Sequence, residues 1–454
     1  MKNLKFTYLF FMLIAADAFS EEAQFYAMGK TVLGEMVAIE STETEGMATK
    51  VSEYAESVLI GNGFASNDLE VAGPTDQSKG LYAIYRGESS KEPVVVMAHV
   101  DVVPAVKGSW TTDPFKMTEI EGFLHGRGTS DNKGGAAGLV ATFVKLRSEG
   151  FIPKNDIIML LTGDEETGMQ SIRYFRDNYK NVQNASFALN SDGGYLTGTM
   201  KNPESFRLQS AEKVYFSVTL TTKNKGGHSS IPRRDNAIYD LADAIKKIQE
   251  HDFPVSLNET TYGTLEFAMK SASDSDKSQI QSILNGEEKK YEILETNRGM
   301  NAILRTTCVA TKLNGGHAEN ALPVSATATV NCRLVPQADS DEVLSKIKEL
   351  VGNNVEVMPI TDVRKSPPSP ITAEIQELIA SSIHTVFPNL PVVPTMSTGA
   401  TDAIALRSSG ISVYGTSAMM SDPTGYRGHG LDERIEISAF NASLDFWYAL
   451  MKQL

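Results

Sequence analysis

The chain has 454 residues, of which 41% are hydrophobic and 22% charged, a composition that excludes a mainly disordered, collagen-like or coiled-coil protein. Its 42 Lys and Arg against 56 Asp and Glu give a formal net charge of −14. This balance argues against nucleic-acid binding, because phosphate contacts need basic side chains. The length is too great for one simple core and favours two domains.

The N-terminal 20 residues have the layout of a secretory signal peptide. Lys2 and Lys5 precede the apolar run 6–16, and the small residues Ala16 and Ala18 fit a cleavage site. The run is too short to cross a bilayer as a stable helix, and no later segment has about 18 uninterrupted apolar residues. We therefore expect an exported protein, periplasmic or secreted, without a stable membrane span after cleavage. The alternative is a buried N-terminal helix.

From residue 21 to residue 211, predicted helices and strands alternate. The runs VVVMAHV and DIIMLLT are apolar on both faces, as in the central strands of a buried sheet. This alternation predicts an α/β sheet with helices packed on it. Periodicity predicts a helix at 47–61, strands at 81–86 and 93–100, a helix at 134–148, and strands at 156–162 and 187–190.

Near residue 212 the pattern changes to strands with one exposed face. The order β-α-β-β-α-β, with a polar, helix-prone insertion at 273–297, suits a small sandwich. The predicted elements are a strand at 214–222, a helix with Asp235 as its N-cap, strands at 302–313 and 326–336, a helix at 339–351, and a strand at 355–359.

The proline-rich residues 366–370 have the composition of a linker, and the buried α/β pattern returns after them. We therefore predict a signal peptide at 1–20, a first domain in two parts at 21–211 and 363–454, and a second domain inserted at 212–362. Cys308 and Cys332 fall in neighbouring predicted strands. They are too few for a disulfide framework, and either a single disulfide or two packed free thiols would fit.

Five predicted loops, all at the carboxyl ends of strands or entering a helix, carry histidine or acidic residues. In open α/β sheets such loops form the binding site, so we expect them to meet. Singly, each residue has an ordinary explanation as a core histidine, a turn former or a surface acid, but together these explanations need five coincidences. The candidates are His99 with Asp101, Asp131, Glu165 with Glu166, Asp192, and His429.

Histidine and carboxylate ligands without thiolates favour a catalytic site for zinc, cobalt or manganese over a closed structural zinc site. Five ligands, one of them bridging, would suit two metals about 3.5–4 Å apart. Such a site also needs a carboxylate off the metal as general base. The adjacent Glu165 and Glu166 can supply one base and one ligand.

The strings HVDVVP, GRGTSDNKGG, GDEETG and GHGLDE resemble, in order and over nearly the whole mature chain, those of the co-catalytic zinc aminoacylase and carboxypeptidase family, metallopeptidase family M20. This family includes glutamate carboxypeptidase, aminoacylase, carnosinase and the Gly-X carboxypeptidases. The resemblance implies a mixed-sheet, zinc-exopeptidase-like α/β catalytic domain with an inserted ferredoxin-like α+β lid domain of the dimerisation type.

The resemblance also implies roles for the residues of these strings. Asp131 would bridge two divalent metal ions, zinc by preference, with cobalt or manganese as alternatives. Glu165 would be the general base and acid, and Asp101 would orient the imidazole of His99. The remaining ligands would be His99 and Asp192 on one metal and Glu166 and His429 on the other.

Four residues outside these strings match further family positions. His228, in KGGHSSIP, would stabilise the oxyanion, and in dimeric relatives this histidine reaches the partner subunit, which leaves a homodimer open. Asn320 and Arg333 would bind the substrate carboxylate, for which the arginine fork is suited. The backbone at Gly399, in STGATDA, would contact substrate, and Asp402 in the same string is expected to cap its helix.

The sequence therefore predicts an exported metal-dependent amide hydrolase acting on small substrates. The first hypothesis is a carboxypeptidase or dipeptidase that releases C-terminal amino acids from short peptides. The alternative is an aminoacylase that hydrolyses N-acyl amino acids, since only the acyl-side pocket would differ. A non-catalytic binding protein would have lost a ligand or the base, and all seven positions are present.

Overall fold

The computed structural model describes residues 4–454 except 44, 288, 362, 364, 421 and 423, with side chains from residue 21 onward. The chain divides into two units. The first contains the chain up to Gln209, Ile371–Val393 and Thr401–Leu454, and the second contains Ser210–Pro370 and Pro394–Ala400. The lid predicted at 212–362 lies within the second unit, which also contains the proline-rich segment. That this segment acts as a separate lid domain is still a prediction.

Strands of the described chain are numbered in chain order. They are β1 (Leu69–Ala72), β2 (Gly80–Tyr85), β3 (Ser89–His99), β4 (Thr118–Ile120), β5 (Phe123–His125), β6 (Asn155–Thr162), β7 (Phe187–Asn190), β8 (Tyr195–Thr199), β9 (Asn202–Glu212), β10 (Val214–Lys223), β11 (Gly227–His228), β12 (Thr307–Gly315), β13 (Ala321–Leu322), β14 (Ser325–Leu334), β15 (Val355–Pro359), β16 (Val392–Ser397), β17 (Val413–Gly415) and β18 (Arg434–Glu436).

Helices are numbered in the same way. They are α1 (Leu4–Ala38), α2 (Ala48–Gly61), α3 (Lys133–Ser148), α4 (Gln170–Asn178), α5 (Lys180–Gln183), α6 (Ala237–Gln249), α7 (Glu259–Ala268), α8 (Asp274–Leu284), α9 (Glu292–Thr296), α10 (Arg298–Leu304), α11 (Ser340–Val351), α12 (Ala373–Val386), α13 (Ala403–Arg407) and α14 (Ile437–Met451).

The large sheet has the strand order β1-β2-β6-β3-β7-β17-β9-β16, and β8 pairs with β9. Strand β3 runs parallel to both β6 and β7, and β7 runs parallel to β17. Strands β1 and β2, and β2 and β6, are antiparallel. The predicted mixed-sheet α/β fold is confirmed. The parallel strands bring the carboxyl ends of β3, β6, β7 and β17 to one edge of the sheet.

Central strand β3 is buried on both faces because its alternate residues pack into different cores. Val94, Val96 and Ala98 join the core that also contains residues of α1, α2, α3, α12 and α14. Val95 and Met97 join the core with residues of α4 and α13. Burying each of the valine and methionine side chains stabilises the fold by roughly 1.5–3 kcal/mol, so the doubly apolar run predicts a central strand correctly.

The predicted signal peptide at 1–20 lies largely outside the described residues. Residues 1–3 are not described, and neither are the side chains of residues 4–20. The backbone of α1 passes through this stretch to Ala38. A search of the described helices for one long and apolar enough to cross a membrane finds none.

The second unit contains a four-stranded antiparallel sheet with the order β12-β14-β10-β15. Strand β14 alternates between buried and half-buried residues, and its buried residues pack with those of α6 and α11. Cys308 and Cys332 face each other across β12 and β14 and form a disulfide. Of the two arrangements that the sequence left open, the structure therefore has the disulfide.

Helix α6 begins one residue later than predicted. Its N-cap is Asn236, whose side chain accepts a hydrogen bond from the backbone N of Ile238 at 2.8 Å. Asp235 accepts one from Arg233 Nε at 3.0 Å instead. Neighbouring Asp and Asn are both good caps, and the sequence does not show which one has the extended backbone that a cap needs.

The strand predicted at 302–313 is wrong in its first part, where residues up to Leu304 are helical. Asn297 caps α10 by accepting a hydrogen bond from Met300 N at 2.9 Å. Leu304 is buried in a small core with Leu265 of α7 and with residues of the insertion such as Ile283. Packing against the insertion therefore outweighs the local alternation, and the strand starts only at Thr307.

Candidate active site

Three neighbouring parallel strands end in candidate residues. Strand β3 ends at His99, β6 is followed by the turn that contains Glu165 and Glu166, and β7 is followed closely by Asp192. The strands lie side by side in the order β6-β3-β7. The candidate residues of these three strands therefore converge at one edge of the sheet, as the sequence predicts.

Two loops complete this cluster. Asp131 lies just before α3, and its peptide bond to Asn132 is cis. Gly128, three residues earlier, has φ 90°, and a Cβ there would meet the side chain of Lys133 at 2.9 Å, so the tight approach of this loop to α3 requires glycine. His429 lies in the long loop between β17 and β18.

Asp131 lies between the two histidines and presents a different oxygen to each. His99 Nε2 is 3.0 Å from Asp131 Oδ1, and His429 Nε2 is 3.4 Å from Asp131 Oδ2. His429 Nε2 also lies 3.1 Å from both carboxylate oxygens of Glu166, and His99 Nε2 lies 3.9 Å from Asp192 Oδ2. The structure thus brings together all five residues predicted as metal ligands.

Asp101 acts on more than the imidazole of His99. His99 Nδ1 donates to the backbone O of Asp101 at 3.0 Å and lies 3.5 Å from its Oδ1. The two carboxylate oxygens of Asp101 accept hydrogen bonds from the backbone N of Glu165 at 3.1 Å and of Glu166 at 3.0 Å. One side chain therefore fixes the backbone of the predicted base and of its neighbour.

Asp164 holds the other side of the same turn. Its carboxylate accepts hydrogen bonds from Gln170 N and Ser171 N, both at 2.8 Å, at the start of α4. Such carboxylate bonds to the first amide groups of a helix are favourable because those groups have no partner within the helix. The turn that carries Glu165 and Glu166 is thus anchored from both directions.

The electrostatics of the cluster reflect crowded carboxylates. Burial raises the pKa of Glu165 well above its usual range, and the charge of Asp192 raises it further. Burial opposes ionisation of Asp131, but hydrogen bonds from His429 and His99 hold the pKa of Asp131 well below its usual range. Hydrogen bonds to Asp131 and Glu166 raise the pKa of His429 to about 10.

This donor set fits divalent cations. The side chains of His99, Glu165 and Asp192 form one group, and those of His99, Asp131 and Glu166 form another, with ligand atoms within 4.8 Å of one another in each. Imidazole and carboxylate ligands in this mixture suit zinc, cobalt and manganese. Cations here would also relieve the repulsion that raises the pKa of Glu165.

Two further side chains lie near Asp131 and Glu165, and neither was predicted in the role that it has. The hydroxyl of Tyr426 donates to Asp131 Oδ2 at 2.5 Å, and only its place three residues before His429 could have suggested it. Asp402 does not cap α13, so that prediction is wrong: its backbone is helical, and its buried carboxylate accepts from Thr162 Oγ1 at 2.5 Å. Burial raises the pKa of Asp402 to about 8.

The remaining predicted residues lie in the second unit. His228 is exposed in β11, which pairs with β13, and the backbone O of the neighbouring Asn320 accepts from Ser229 N at 3.0 Å. Arg333 lies in β14 with its guanidinium 4.8 Å from the ring of Tyr215. Gly399 also lies in this unit, and its backbone N donates to Ser397 Oγ at 3.1 Å.

Comparisons with known proteins agree with this geometry. The sequence profile of peptidase family M20/M25/M40 matches residues 95–453. The probable carboxypeptidase S-like 2 of Dictyostelium discoideum is 28% identical over 377 residues, which cover 80% of this chain and 72% of that protein. The human N-fatty-acyl-amino acid synthase/hydrolase is 28% identical over 388 residues, covering 82% and 76%.

The fold is also similar to that of a solved structure. The M20 family metallo-carboxypeptidase of Sulfolobus solfataricus has a TM-score of 0.71 at 20% identity, and the match covers 94% of this chain and 98% of that one. The profile match spans most of the sequence and includes all five predicted ligands. The chain therefore belongs to peptidase family M20/M25/M40 and is a metal-dependent hydrolase.

Proposed function

We propose that this protein is an exported amide hydrolase with two metal ions, acting as a carboxypeptidase or dipeptidase that releases C-terminal amino acids from short peptides. The observation that carries the proposal is the position of Asp131, whose two carboxylate oxygens face two different histidines. A carboxylate placed in this way can be shared by two cations. The related carboxypeptidase S-like protein supports a peptide substrate.

The chain's own residues would hold the metals in two sets that share Asp131. His99 and Asp192 would hold one ion, and Glu166 and His429 the other. Zinc is the first choice, with cobalt or manganese as alternatives. When bound, such ions act as Lewis acids and lower the pKa of water.

Glu165 would be the general base and then the general acid. It lies in the group with His99 and Asp192, and hydrogen bonds to Asp101 hold the backbone of the turn that carries it. From this place Glu165 would accept a proton from the attacking water and give it to the leaving amine. His228 would donate to the oxyanion of the tetrahedral intermediate.

Arg333 and Asn320 would bind the carboxylate of the substrate, and the backbone at Gly399 would contact it. The guanidinium of Arg333 is half-buried, and burial lowers its pKa, so an incoming carboxylate would replace lost hydration. Its planar fork can donate two parallel hydrogen bonds to a carboxylate. This pairing would select substrates with a free carboxyl group.

An aminoacylase activity on N-acyl amino acids is the second candidate. Val106 and Leu431 are 69% and 53% exposed. Their loops are held together because Asp432 accepts hydrogen bonds from Thr111 N at 2.7 Å and Thr111 Oγ1 at 2.9 Å. The exposed apolar side chain of Leu431, two residues from His429, suits an acyl group. The relative named as an N-fatty-acyl-amino acid synthase/hydrolase also supports this activity.

The test is hydrolysis by the zinc-loaded mature protein, with and without a chelator. Unblocked dipeptides are compared with N-acetyl and N-dodecanoyl amino acids that have the same C-terminal residue, and ninhydrin detects the released amines. Cleavage of the dipeptides that the chelator abolishes is the expected result. Cleavage of the acylated set alone would make the protein an aminoacylase, and no chelator-sensitive cleavage of either set would contradict the proposal.

Export and assembly need separate measurements. Residues 1–20 support export, and the expected result is a secreted or periplasmic protein that begins near residue 21, found by cell fractionation and N-terminal sequencing. Full-length protein confined to the cytoplasm would contradict export. Light scattering of the purified protein would decide between a monomer and the homodimer that the resemblance leaves open.

A further inference from the structure

Glu433 is a fully buried acid that receives hydrogen bonds from one loop of the active site. Its carboxylate accepts from the backbone N of Gly128 at 2.9 Å, of Ser130 at 2.9 Å and of Asp131 at 3.0 Å, and from Ser130 Oγ at 3.0 Å. The side chain is 0% exposed. Glu433 therefore fixes the backbone of the predicted bridging residue.

Arg127 connects this acid to the second loop. Its Nη1 donates to Glu433 Oε2 at 2.7 Å and also to the backbone O of Gly428, while Nη2 donates to the backbone O of Gly430 at 3.0 Å. Gly428 and Gly430 are the two residues that flank His429. The guanidinium of Arg127 is buried and lies 5.0 Å from the ring of Trp110.

We infer that Glu433 and Arg127 form a positioning pair that sets the separation between Asp131 and His429. The pair would thereby set the geometry of the site in which Glu166 and His429 are proposed to hold a metal ion. Neither side chain contacts the ligand atoms. Glu433 acts through the backbone N of Asp131, and Arg127 acts through the carbonyl groups on both sides of His429. The inference rests on the proposed roles of Asp131 and His429 as ligands.

Stability alone does not account for this pair. Two buried charges lose their hydration, and a buried ion pair is often no more stable than apolar residues of the same volume. Arginine can bind one carboxylate and two carbonyl groups at once because its donors diverge in a plane, which lysine cannot reproduce. The pair therefore links two loops, and its two residues are 306 positions apart in the sequence.

The test measures metal binding directly. Glu433→Gln and Arg127→Lys are purified as full-length apo proteins and titrated with Zn²⁺ in competition with a chelator, and the visible spectrum of the Co²⁺ form is recorded. We expect the affinity of one of the two metals to fall by about 10–100-fold and the Co²⁺ spectrum to change. We also expect kcat to fall by a similar factor, with KM within about twofold.

Asp156→Asn is the matched control. Asp156 is buried, accepts from Gly87 N at 2.8 Å and from Arg86 Nη1 at 3.1 Å, and lies at the opposite end of β6 from the active site. Asp156→Asn replaces a carboxylate by an amide, as Glu433→Gln does, but Asp156 does not contact the loop of Asp131 or the loop of His429. Its thermal stability is expected to fall, while its Zn²⁺ affinity and its Co²⁺ spectrum stay those of the parent.

A double variant separates positioning from the cost of an unpaired charge. In Arg127→Met with Glu433→Gln, neither buried charge is left without its partner, so recovered folding with impaired metal binding supports the inference. Zn²⁺ affinity and Co²⁺ spectra equal to the parent's in all variants would overturn it. A parent that binds two metals but hydrolyses no substrate would overturn only the proposed function, and a parent that binds no metal would overturn both.

Discussion

Asp131 shows how one side chain can organise a site. Each of its carboxylate oxygens faces a different histidine, and the hydroxyl of Tyr426 donates to one of them. Because these groups converge on a buried carboxylate, Asp131 stays ionised where an isolated buried acid would be protonated. A negative charge is therefore already present where two cations would meet.

Glu165→Gln should separate catalysis from metal binding. The amide keeps the size of the side chain but cannot accept a proton, so kcat should fall by at least about 10²–10⁴-fold. Metal content, measured by mass spectrometry of the dialysed protein, should equal that of the parent, because Glu165 is proposed as the base and not as a ligand.

Glu166→Gln is the matched control for this prediction. It alters the neighbouring residue, whose carboxylate lies 3.1 Å from His429, and it should lose metal as well as activity. Full turnover by the Glu165 variant, or loss of its metal, would show that the two roles have been assigned to the wrong residues.

At the scale of single elements, the start of α6 depends on its cap. Asn236→Ala removes the side chain that accepts from Ile238 N and should lower the free energy of unfolding by about 1 kcal/mol, as measured by urea denaturation. Asp235→Ala removes exposed contacts with Arg233 and Asn224, which solvent screens, so its effect should be clearly smaller than that of Asn236→Ala. Equal effects of the two substitutions would contradict the assignment of the cap.

Lys213, just before β10, makes the free energy of unfolding depend on pH. Its Nζ donates to the backbone O of Ala302 and of Arg305, and burial lowers its pKa to about 7. Between that pKa and the usual value of about 10.4, the unfolded chain binds the extra proton and the folded one does not, so stability rises with pH in this window.

Lys213→Met should remove this contribution. Urea denaturation of the parent and the variant would be compared at about pH 7 and about pH 9. The stability of the parent relative to the variant should increase with pH, by at most about 1.4 kcal/mol per pH unit. A difference between the two proteins that is the same at both pH values would show that Lys213 keeps its ordinary pKa.

At the scale of the whole molecule, the proposed ligands come from widely separated parts of the sequence. Metal that binds only the folded chain stabilises it by about 2.7 kcal/mol at a free concentration 100 times Kd. Excess Zn²⁺ should therefore raise the melting temperature of the apo protein by a few degrees, and a chelator should reverse the shift. The Asp131→Asn variant should show little of this rise in melting temperature. An equal rise in the parent and the variant would contradict the proposal that Asp131 is a ligand shared by two metals.

Long-range patterns in the sequence predict much of the fold and of the site, because they reflect burial. The doubly apolar runs of β3 and β6 correctly indicate central strands, and the residues that follow these strands lie close together at one edge of the sheet. The pairing of β18 with β5 is not predicted, because the two strands have only three residues each, too few to show a periodic pattern, and lie far apart in the sequence.

The sequence also does not reveal side chains that act through backbone groups. Glu433 stands in the string GHGLDE and Arg127 in GRGTSD, yet neither is a candidate, because the sequence does not show which buried acid accepts from which amide. Asp402 is similar: next to the start of α13 it has the pattern of a cap, and only its burial beside Thr162 shows otherwise.

The ion pair between Arg127 and Glu433 has a consequence for the order of events during synthesis. A ribosome that has delivered the chain as far as α11 has already released His99, Asp131, Glu165 and Asp192, but neither His429 nor the acid that holds the Asp131 loop. With His429 as a ligand, as proposed, the nascent chain would lack a complete centre. The site would be completed only when about the last 30 residues had emerged, so unfinished chains would be inactive.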